Sequence, residues 1–526
     1  MSRDSGGRAA FVVGIGIFLS RIAGFVRQLA FNAFFGLTAE ADAYNAAFRI
    51  PNAVRNLLGE GTLSAAFVPL YSRMLARNDV AASRVLAGAV LGILMLAVSA
   101  LTLLGILIAP ALVSVLASGF DPARHELAVR LTRVLFPMSA VMVLSGWCLG
   151  VQNSHRRFFW SYASAVLWSA AQIVLLLGWG KHAASLAQLA YWLAWATLGG
   201  ALLQVLAQLP EVVRLVGPVR PTLKQSAEGV MPVLRNVIPV TAALGVTQIS
   251  SFIDISIASN LPVGAVSALS VANLLVQLPV AVFGISVAAS SLPDLSRDSG
   301  DAAFDVLRER LRNGFLRILF YIVPSAAVFI ALGDYCIGIL FRAGRFGAPE
   351  QTATAWVLAA YAIGLVSFGS VKLMASAYYA LQDYRTPLRA SMASVALSAV
   401  AAASVAFSLR HTGYAAAGIA LGAALGSYLN LSLLLRGLRA KLGRLFTPAM
   451  WAGTRRIALA TAAATVVASL ARLAQTALWP NAHPRFAGPP VLAAFGITYL
   501  LVAWAMGSGE AARWLRIKPR GNAALR

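Results

Sequence analysis

Apolar residues dominate the chain in long runs that are separated by short polar stretches, and this alternation repeats from one end to the other. The runs are about 20 residues or longer, the length that an α-helix needs to cross the hydrocarbon core of a bilayer. The pattern predicts an all-α polytopic membrane protein with about fourteen transmembrane helices. The predicted spans are 9–35, 42–72, 85–117, 132–152, 159–179, 186–209, 232–259, 262–292, 315–341, 352–380, 387–409, 413–435, 456–478 and 489–507.

The composition also indicates folding in a bilayer. Of the 526 residues, 59% are hydrophobic and 12% are charged, whereas soluble domains carry about 25% charged residues. Cys148 and Cys336 both fall in apolar runs, and the five histidines lie scattered. We therefore expect no disulfide framework and no metal site. A glycine-rich phosphate loop is also absent from the sequence, so we expect a protein that is not an enzyme.

The net charge of +24 could indicate binding to nucleic acid, but the positions of the charges argue against it. With the N-terminus placed in the cytoplasm, most of the 43 lysines and arginines fall in loops and tails on the inner side. The positive-inside rule predicts this distribution. We therefore expect both termini to be cytoplasmic and no nucleic acid to be bound. The basic segments RAKLGR (439–444) and RWLRIKPR (513–520) are interpreted as cytoplasmic anchors that meet anionic lipid.

A short internal repeat divides the predicted spans. VPLYSR at 68–73 ends the second span and LPDLSR at 292–297 ends the eighth, and Pro51 and Pro279 precede them in corresponding places. A repeat of six spans, an even number, predicts two six-helix lobes of the same orientation around a central cavity, as in one class of transporters. The predicted division is 1–230 for the N-terminal lobe, 231–440 for the C-terminal lobe, and 441–526 for two further helices with a cytoplasmic tail.

Cations lie inside the first two spans, where a charge costs about 2.5–3.5 kcal/mol on insertion scales. On a helical wheel, Ser20, Arg21 and Arg27 share one face of the first helix. The second span carries a polar stripe at helical spacing, which consists of Asp42, Asn45, Arg49, Asn52 and Asn56, and Glu60 follows four residues later. Arg55 continues the three-residue steps of Arg49 and Asn52.

These two spans hold four arginines but only two carboxylates, Asp42 and Glu60. A single arginine can be neutralised by a carboxylate or can extend its head group to the membrane surface, and Arg49 near Asp42 fits that interpretation. The surplus cations require water or an anionic ligand, so we expect these faces to line a water-filled cavity that receives an anion. Arginine suits a pyrophosphate, because its planar guanidinium donates paired hydrogen bonds and stays charged. A pyrophosphate carried on a lipid would leave its apolar tail in the bilayer.

Five ordered segments resemble the signatures of the MurJ (MviN) family, whose members are lipid II flippases of the multidrug/oligosaccharidyl-lipid/polysaccharide exporter superfamily. The segments are LSRIAGFVRQ, ADAYNAAFRIPNAVRNLLGEGTLSAAFVPLYSR, LPVGAVSALSVANLLVQLP, SSLPDLSR and ASAYYALQDYRTP. The resemblance implies a multi-pass protein of the bacterial inner membrane that moves the undecaprenyl-pyrophosphate-linked peptidoglycan precursor to the outer leaflet by alternating access. It implies a substrate site of Arg21, Arg27, Arg55, Ser20, Asp42, Asn52 and Glu60, to which the charge pattern adds Arg49.

The chain departs from the family pattern at two positions. Gln28 stands where an acid is common, and Leu274 stands where an arginine that contacts the substrate is expected. The second departure leaves Lys372 as the only cation well inside the predicted spans of the C-terminal lobe, since the arginines of those spans lie close to their starts. This lysine either substitutes in part for the missing arginine or packs with its head group at the membrane surface. Near Leu274, the side chains of Asn273 and Gln277 indicate a polar surface.

Asp254 in the seventh predicted span has two interpretations. Similarity to sodium-coupled members of the family implies that it contributes to a cation site. An isolated buried aspartate can equally be protonated, or bonded to Gln248 or Ser251. No cofactor is expected, and coupling to Na⁺ or to H⁺ is left open.

Three classes of function remain. A lipid II flippase is favoured. One alternative is a flippase or exporter for another polyprenyl-linked glycan or for a small molecule, and the other is a non-transporting relative that scaffolds cell-wall assembly. The expected partners are lipid II or a similar lipid-linked oligosaccharide, the membrane, and proteins of cell-wall synthesis.

Overall fold

A computed structural model of the chain describes residues 3–223, 229–281 and 301–517. These residues form twenty α-helices, one short 3₁₀ turn and one isolated β-bridge between Ala343 and Phe346. The first eleven helices are α1 (Arg3–Phe35), α2 (Ala39–Leu58), α3 (Glu60–Ala66), α4 (Val68–Ala76), α5 (Val80–Leu107), α6 (Ala109–Leu116), α7 (Pro122–Ser154), α8 (Phe159–Trp179), α9 (Leu186–Val216), α10 (Val230–Ser259) and α11 (Ala265–Pro279). The other nine are α12 (Asp301–Ala331), α13 (Gly333–Phe341), α14 (Ala348–Ile363), α15 (Leu365–Ala380), α16 (Arg385–Ser408), α17 (Ala415–Leu442), α18 (Pro448–Leu478), α19 (Pro484–Ala505) and α20 (Gly509–Leu515).

Ten helices in the described part of the chain are long and apolar enough to cross a bilayer. This confirms the prediction of an all-α polytopic membrane protein. The ten correspond to predicted spans 1, 3 to 6, 9 and 11 to 14. The pair α14 and α15, bent by 41°, corresponds to the tenth predicted span and brings the number to eleven if it crosses as one unit. The total of fourteen stays a prediction.

The other three predicted spans differ from one another in the residues that the structure describes. The second is divided into α2, α3 and α4, with breaks at Gly59 and Phe67. A Cβ at Gly59 would collide with the carbonyl oxygen of Arg55, so the first break requires glycine. The seventh lies within α10, a helix of 30 residues whose apolar part is Leu244–Ser259. The eighth begins with the apolar helix α11, and its residues from 282 onward lie outside the described part of the chain. The LPDLSR motif lies outside the described residues.

The ends of several helices carry side-chain caps that the sequence makes recognisable. At an N-cap, a short polar side chain accepts a hydrogen bond from a backbone N–H of the first turn. In α7 and α18 the cap is followed by proline at the first helical position, which lacks the N–H that would have no partner there. The capping residues include Thr38, Asp79, Asp121, Ser185 and Thr447.

Contacts between helices divide the chain into two compact units, Met1–Gly264 and Ala265–Arg526. In the first unit, α1 packs on α8, α7 contacts α2, α5 and α9, and α10 packs against α2 and α3. In the second unit, α12 contacts α14, α15 and α18, and α18 packs on α19. The helix α10 groups with the first unit, although the sequence analysis assigns that segment to the C-terminal lobe. The lobe boundaries stay a prediction.

Small residues set a close helix contact in the second unit, between α16 and α17. Gly418, Gly422 and Gly426 recur every fourth residue on α17. A Cβ at Gly418 would lie 2.6 Å from the backbone nitrogen of Ala406, so the two backbones touch at that point. Such spacing allows close packing where lipid supplies no hydrophobic driving force between helices.

Candidate functional site: a cationic cavity in the first unit

A cavity of about 750 Å³ lies among helices of the first unit. Residues of α1, α2, α3, α7, α8 and α9 line it. Two of them, Arg21 and Arg55, are cationic, and none of the lining residues in the described part of the chain is acidic. The remaining lining side chains are apolar or uncharged and polar. The cavity wall therefore has a positive balance of charge.

Trp168 on α8 is the centre of the cationic cluster. The Cζ atom of Arg27 lies 5.0 Å from the centroid of its ring, and the Cζ atom of Arg55 lies 5.4 Å from it. Cation–π attraction acts at these distances. The indole Nε1 donates to the carbonyl oxygen of Thr197 at 3.1 Å, and Phe48 stacks on the ring with centroids 6.3 Å apart. These contacts fix the ring that holds both guanidinium groups.

Neutral side-chain amides accept hydrogen bonds from both guanidinium groups. Arg27 Nη1 donates to Gln172 Oε1 at 3.4 Å, and Arg55 Nη1 donates to Asn52 Oδ1 at 3.4 Å. Arg27 forms no ion pair with a carboxylate among the described residues, and its Nε atom is buried without a hydrogen-bond partner there. An amide oxygen orients the guanidinium without neutralising it, so the charge of Arg27 stays available to an anion.

Arg21 reaches the same cavity from α1. Its side chain is exposed and lines the cavity together with Ser20 and Gly24. Ser20 Oγ donates to the carbonyl oxygen of Ile17 at 2.9 Å. No atom lies within 4 Å of the place where a Cβ on Gly24 would stand. This part of α1 therefore leaves open space beside an exposed cation.

Serine and glutamine side chains of α7, α8 and α9 form a polar wall that the sequence analysis missed. Gln204 Nε2 donates to Ser145 Oγ at 2.9 Å. Gln208 Nε2 donates to Ser145 Oγ at 3.1 Å and to Ser164 Oγ at 2.6 Å. Ser145 and Gln204 line the cavity. The sequence does indicate this wall, because Gln204 and Gln208 lie one helical turn apart in an apolar run and so share one face of α9.

The structure separates two of the predicted site residues from the cavity lining. Asp42 is buried, and its Oδ2 accepts a hydrogen bond from the backbone N–H of Gly264 at 2.7 Å. Arg49 does not line the cavity, and its positive charge acts electrostatically on the carboxyl group of Asp254 on α10. The predicted residues that come together at the cavity or at Trp168 are Ser20, Arg21, Arg27, Asn52 and Arg55.

The other predicted positions lie elsewhere. Gln28 Nε2 donates to Asn32 Oδ1 at 3.2 Å, so this amide is satisfied within α1. Glu60 is the first residue of α3, and its side chain lies outside what the structure describes. The predicted residues of the second unit are Asn273, Leu274 and Gln277 on α11, of which the first two are half-buried and the third exposed, and Lys372, exposed on α15.

A known family matches most of the chain. The family described as "Lipid II flippase MurJ" matches residues 31–486. The chain is also 33% identical over 440 residues to a lipid II flippase MurJ of Burkholderia cenocepacia, which covers 82% of this chain and 83% of that protein. The chain belongs to the lipid II flippase MurJ family. Family membership confirms the resemblance seen in the five sequence segments. The members of this family are multi-pass membrane transporters.

Solved structures share the fold. A lipid II flippase MurJ in an inward closed conformation matches with a TM-score of 0.78 at 21% identity, covering 96% of this chain and 100% of that one. An inward-facing multidrug resistance transporter of the MATE family and MOP superfamily matches with a TM-score of 0.62 at 18% identity, covering 83% of this chain and 98% of that one. At these identities the likeness concerns the fold alone.

Proposed function

We propose that this member of the MurJ family moves lipid II, the undecaprenyl-pyrophosphate-linked peptidoglycan precursor, from the inner to the outer leaflet of the bacterial cytoplasmic membrane. The observation that carries the proposal is the pair of guanidinium groups at Trp168, beside a cavity whose described lining includes no carboxylate. Holding two cations together inside a membrane protein is costly unless an anion joins them. A lipid-linked pyrophosphate supplies that anion.

The pyrophosphate would bind to Arg21, Arg27 and Arg55. A guanidinium can donate two parallel hydrogen bonds to phosphate oxygens, and a hydrogen bond to a charged group typically contributes about 1.5–3 kcal/mol. Ser145 and Gln204 would donate further hydrogen bonds from the polar wall. The volume of about 750 Å³ lies in the usual range for a ligand site. The lipid tail would stay in the bilayer.

Alternating access would carry the bound head group across. MATE-family transporters of similar fold, solved in inward-facing and in outward-facing conformations, support a cycle in which the site opens to one side at a time. We place both termini in the cytoplasm, as the distribution of basic residues predicts.

The driving force would act on the charge of the cargo. An inside-negative potential favours outward movement of an anion by about 2.3 kcal/mol per charge per 100 mV. Arg49 interacts with Asp254, and a neighbouring guanidinium opposes cation binding at that carboxylate. We therefore favour the membrane potential as the driving force over coupling to Na⁺ or H⁺ at Asp254, with no cofactor.

Complementation of a strain depleted of its own lipid II flippase tests this function. The parent chain should restore growth, whereas Arg27→Ala and Arg55→Ala should not, at unchanged amounts in the membrane. Lipid II binding to each purified variant should weaken roughly tenfold to hundredfold, which corresponds to one lost charge-assisted hydrogen bond. Arg130→Ala is the matched control, because Arg130 is an exposed arginine of the same unit that pairs with Glu126.

The same experiment decides between the proposal and its alternatives. If both cavity variants support growth like the parent chain, the anion site is wrong. If the parent chain is present in the membrane but neither restores growth nor binds lipid II, the cargo is another polyprenyl-linked glycan or a small molecule, or the chain scaffolds proteins of cell-wall synthesis.

A further inference from the structure

A second cavity, of about 860 Å³, lies within the second unit. It is formed by α12, the first turns of α18, the end of α19 and the start of α20. Four arginines and one carboxylate, Glu510, are its charged lining residues in the described part of the chain. The arginines are Arg310, Arg317, Arg456 and Arg513. The family site proposed above does not include this pocket, which we call the basal pocket.

The single carboxylate of the basal pocket is shared. Glu510 Oε1 lies 3.6 Å from Arg317 Nε and 3.4 Å from Arg513 Nη1. Glu510 Oε2 also accepts a hydrogen bond from the hydroxyl of Tyr321 at 3.3 Å. Arg456 is exposed and forms no ion pair with any described residue. One negative charge divided between two guanidinium groups leaves the pocket with a surplus of positive charge.

The pocket lies where three helices change from charged to apolar sequence. In α12 the charges end at Arg317, and in α18 a stretch without charge begins after Arg456. The apolar sequence of α19 runs to Gly507, just before Glu510. Such a boundary marks the level of the membrane–water interface, where phospholipid head groups lie.

The lining of the basal pocket is amphiphilic. Besides the arginines, its wall includes the buried side chains of Phe320, Ile457 and Ala503. A small hydrated anion would use only the charged part of such a pocket. A phospholipid would place its phosphate among the arginines and its glycerol and first acyl carbons against the apolar wall. Basic pockets between transmembrane helices at the interface are a known means of binding anionic lipid head groups.

We propose that the basal pocket binds an anionic phospholipid through its head-group phosphate. Phosphatidylglycerol represents this class, since its net negative charge matches the surplus of arginines, whereas the head group of phosphatidylcholine carries no net charge. The bound lipid would bridge α12, α18 and α20 by contacts to Arg317, Arg456 and Arg513. The proposal does not depend on lipid II as the cargo of the first unit.

Native mass spectrometry of the purified full-length chain tests the proposal, with phosphatidylglycerol or phosphatidylcholine added to the detergent. The parent chain should retain phosphatidylglycerol in preference to phosphatidylcholine. Arg456→Glu should weaken phosphatidylglycerol binding by roughly tenfold or more, as expected for the loss of a charged hydrogen-bond donor. Arg455→Glu is the matched control, because Arg455 is exposed, adjacent in the same helix and not part of the pocket lining. Its binding of both lipids should equal that of the parent chain.

Three results would overturn the proposal. Equal losses in the Arg455 and Arg456 variants would show attraction to the general charge of the surface. Unchanged binding in Arg456→Glu would show that the pocket is not used. Displacement of the lipid by millimolar inorganic phosphate would show a site for small anions. If Arg456→Glu does not fold, Arg456→Gln makes the same comparison with a smaller change of charge.

Discussion

Arg27 and Arg472 are both arginines of long apolar helices, and both lie over an aromatic ring, yet their surroundings differ. Arg27 lies 5.0 Å from the ring of Trp168, and Arg472 lies 5.3 Å from the ring of Tyr335. Arg472 Nη2 and Nη1 donate to the two oxygens of Asp334 at 2.8 and 3.2 Å. The acceptor of Arg27 is an uncharged amide.

The difference separates a structural arginine from one that is ready for a ligand. A bidentate carboxylate neutralises Arg472 and ties α18 to α13, so that guanidinium contributes to the second unit's own structure. An amide leaves the charge of Arg27 uncompensated. The presence of an arginine in an apolar run is thus a weak indicator of a binding site, and the nature of its acceptor is a strong one.

The largest effect should come from making Arg27 resemble Arg472. Gln172→Glu keeps the shape of the side chain that accepts from Arg27 but supplies a carboxylate. The new ion pair should neutralise the cation and repel a pyrophosphate, so lipid II binding should fall by roughly a hundredfold and complementation should fail while the protein remains folded. Binding of lipid II to the purified variant is the measurement.

Gln188→Glu is the control for this change, because Gln188 is an exposed glutamine near the start of α9 and its side chain accepts from a backbone N–H. That variant should bind lipid II like the parent chain. Undiminished binding by Gln172→Glu would mean that the charge of Arg27 does not contact the cargo.

The converse change replaces the carboxylate of Asp334, the partner of Arg472. It should reduce the stability of the protein and leave transport unchanged. Asp334→Asn leaves the guanidinium with a carbonyl and an amide, and we expect the free energy of unfolding to fall by about 1–3 kcal/mol. The side chains are 39% and 31% exposed, which favours the lower part of that range. Thermal unfolding in detergent measures the loss.

A double variant sharpens this second prediction. Asp334→Asn combined with Arg472→Gln should recover most of the lost stability, since no unpaired charge remains. Growth in the complementation assay, corrected for the amount of protein in the membrane, should stay near that of the parent chain. A defect in transport at normal yield would show that Arg472 serves the cargo as well.

Replacing the two aromatic rings should have a smaller effect of the same kind. Trp168→Leu removes the ring between Arg27 and Arg55, and cation–π contacts of this sort contribute about 0.5–2 kcal/mol. We expect lipid II affinity to fall roughly threefold to thirtyfold, with Trp168→Phe between the variant and the parent chain. Tyr335→Leu should change the unfolding temperature and leave the affinity as it was. Equal affinities for all four proteins would contradict the role of Trp168.

The smallest effect concerns an exposed ion pair at the junction of α15 and α16. Asp383 accepts hydrogen bonds from Lys441 at 2.5 Å and from the backbone and hydroxyl of Thr386, and these contacts hold the pKa of the Asp383 carboxyl well below its usual range. Because the pKa is lowered in the folded state, the contribution to stability is present at neutral pH. It is lost as the pH falls below the ordinary range of aspartate.

Asp383→Asn should therefore unfold slightly more easily than the parent chain at neutral pH, and the two should converge under acid conditions. Added salt should reduce the difference, since the pair is exposed. A difference that persists in acid would show that Asp383 acts through packing and not through its charge.

Some features of the site were accessible to sequence reasoning, because they depend on helical spacing within one segment. The face of α1 that carries Ser20 and Arg21 does line the cavity, and Arg55 joins it from α2. The polar partner of Arg27 was not accessible, because Gln172 lies on a helix more than a hundred residues away in sequence. In the sequence, nothing distinguishes Trp168 and Gln172 from other residues of their apolar run. The structure shows that both contact Arg27.

By itself, the sequence determined the membrane class, the family and ten of the apolar helices, because insertion into a bilayer depends on the hydropathy of each segment taken alone. Only the tertiary structure decided which charges are satisfied. Asp42 accepts a hydrogen bond from the backbone of Gly264, the charge of Arg49 acts on Asp254, and Arg27 is left with an amide. The energy of a charge in a membrane depends on which partner another helix brings within a few ångströms, and no local pattern encodes that choice.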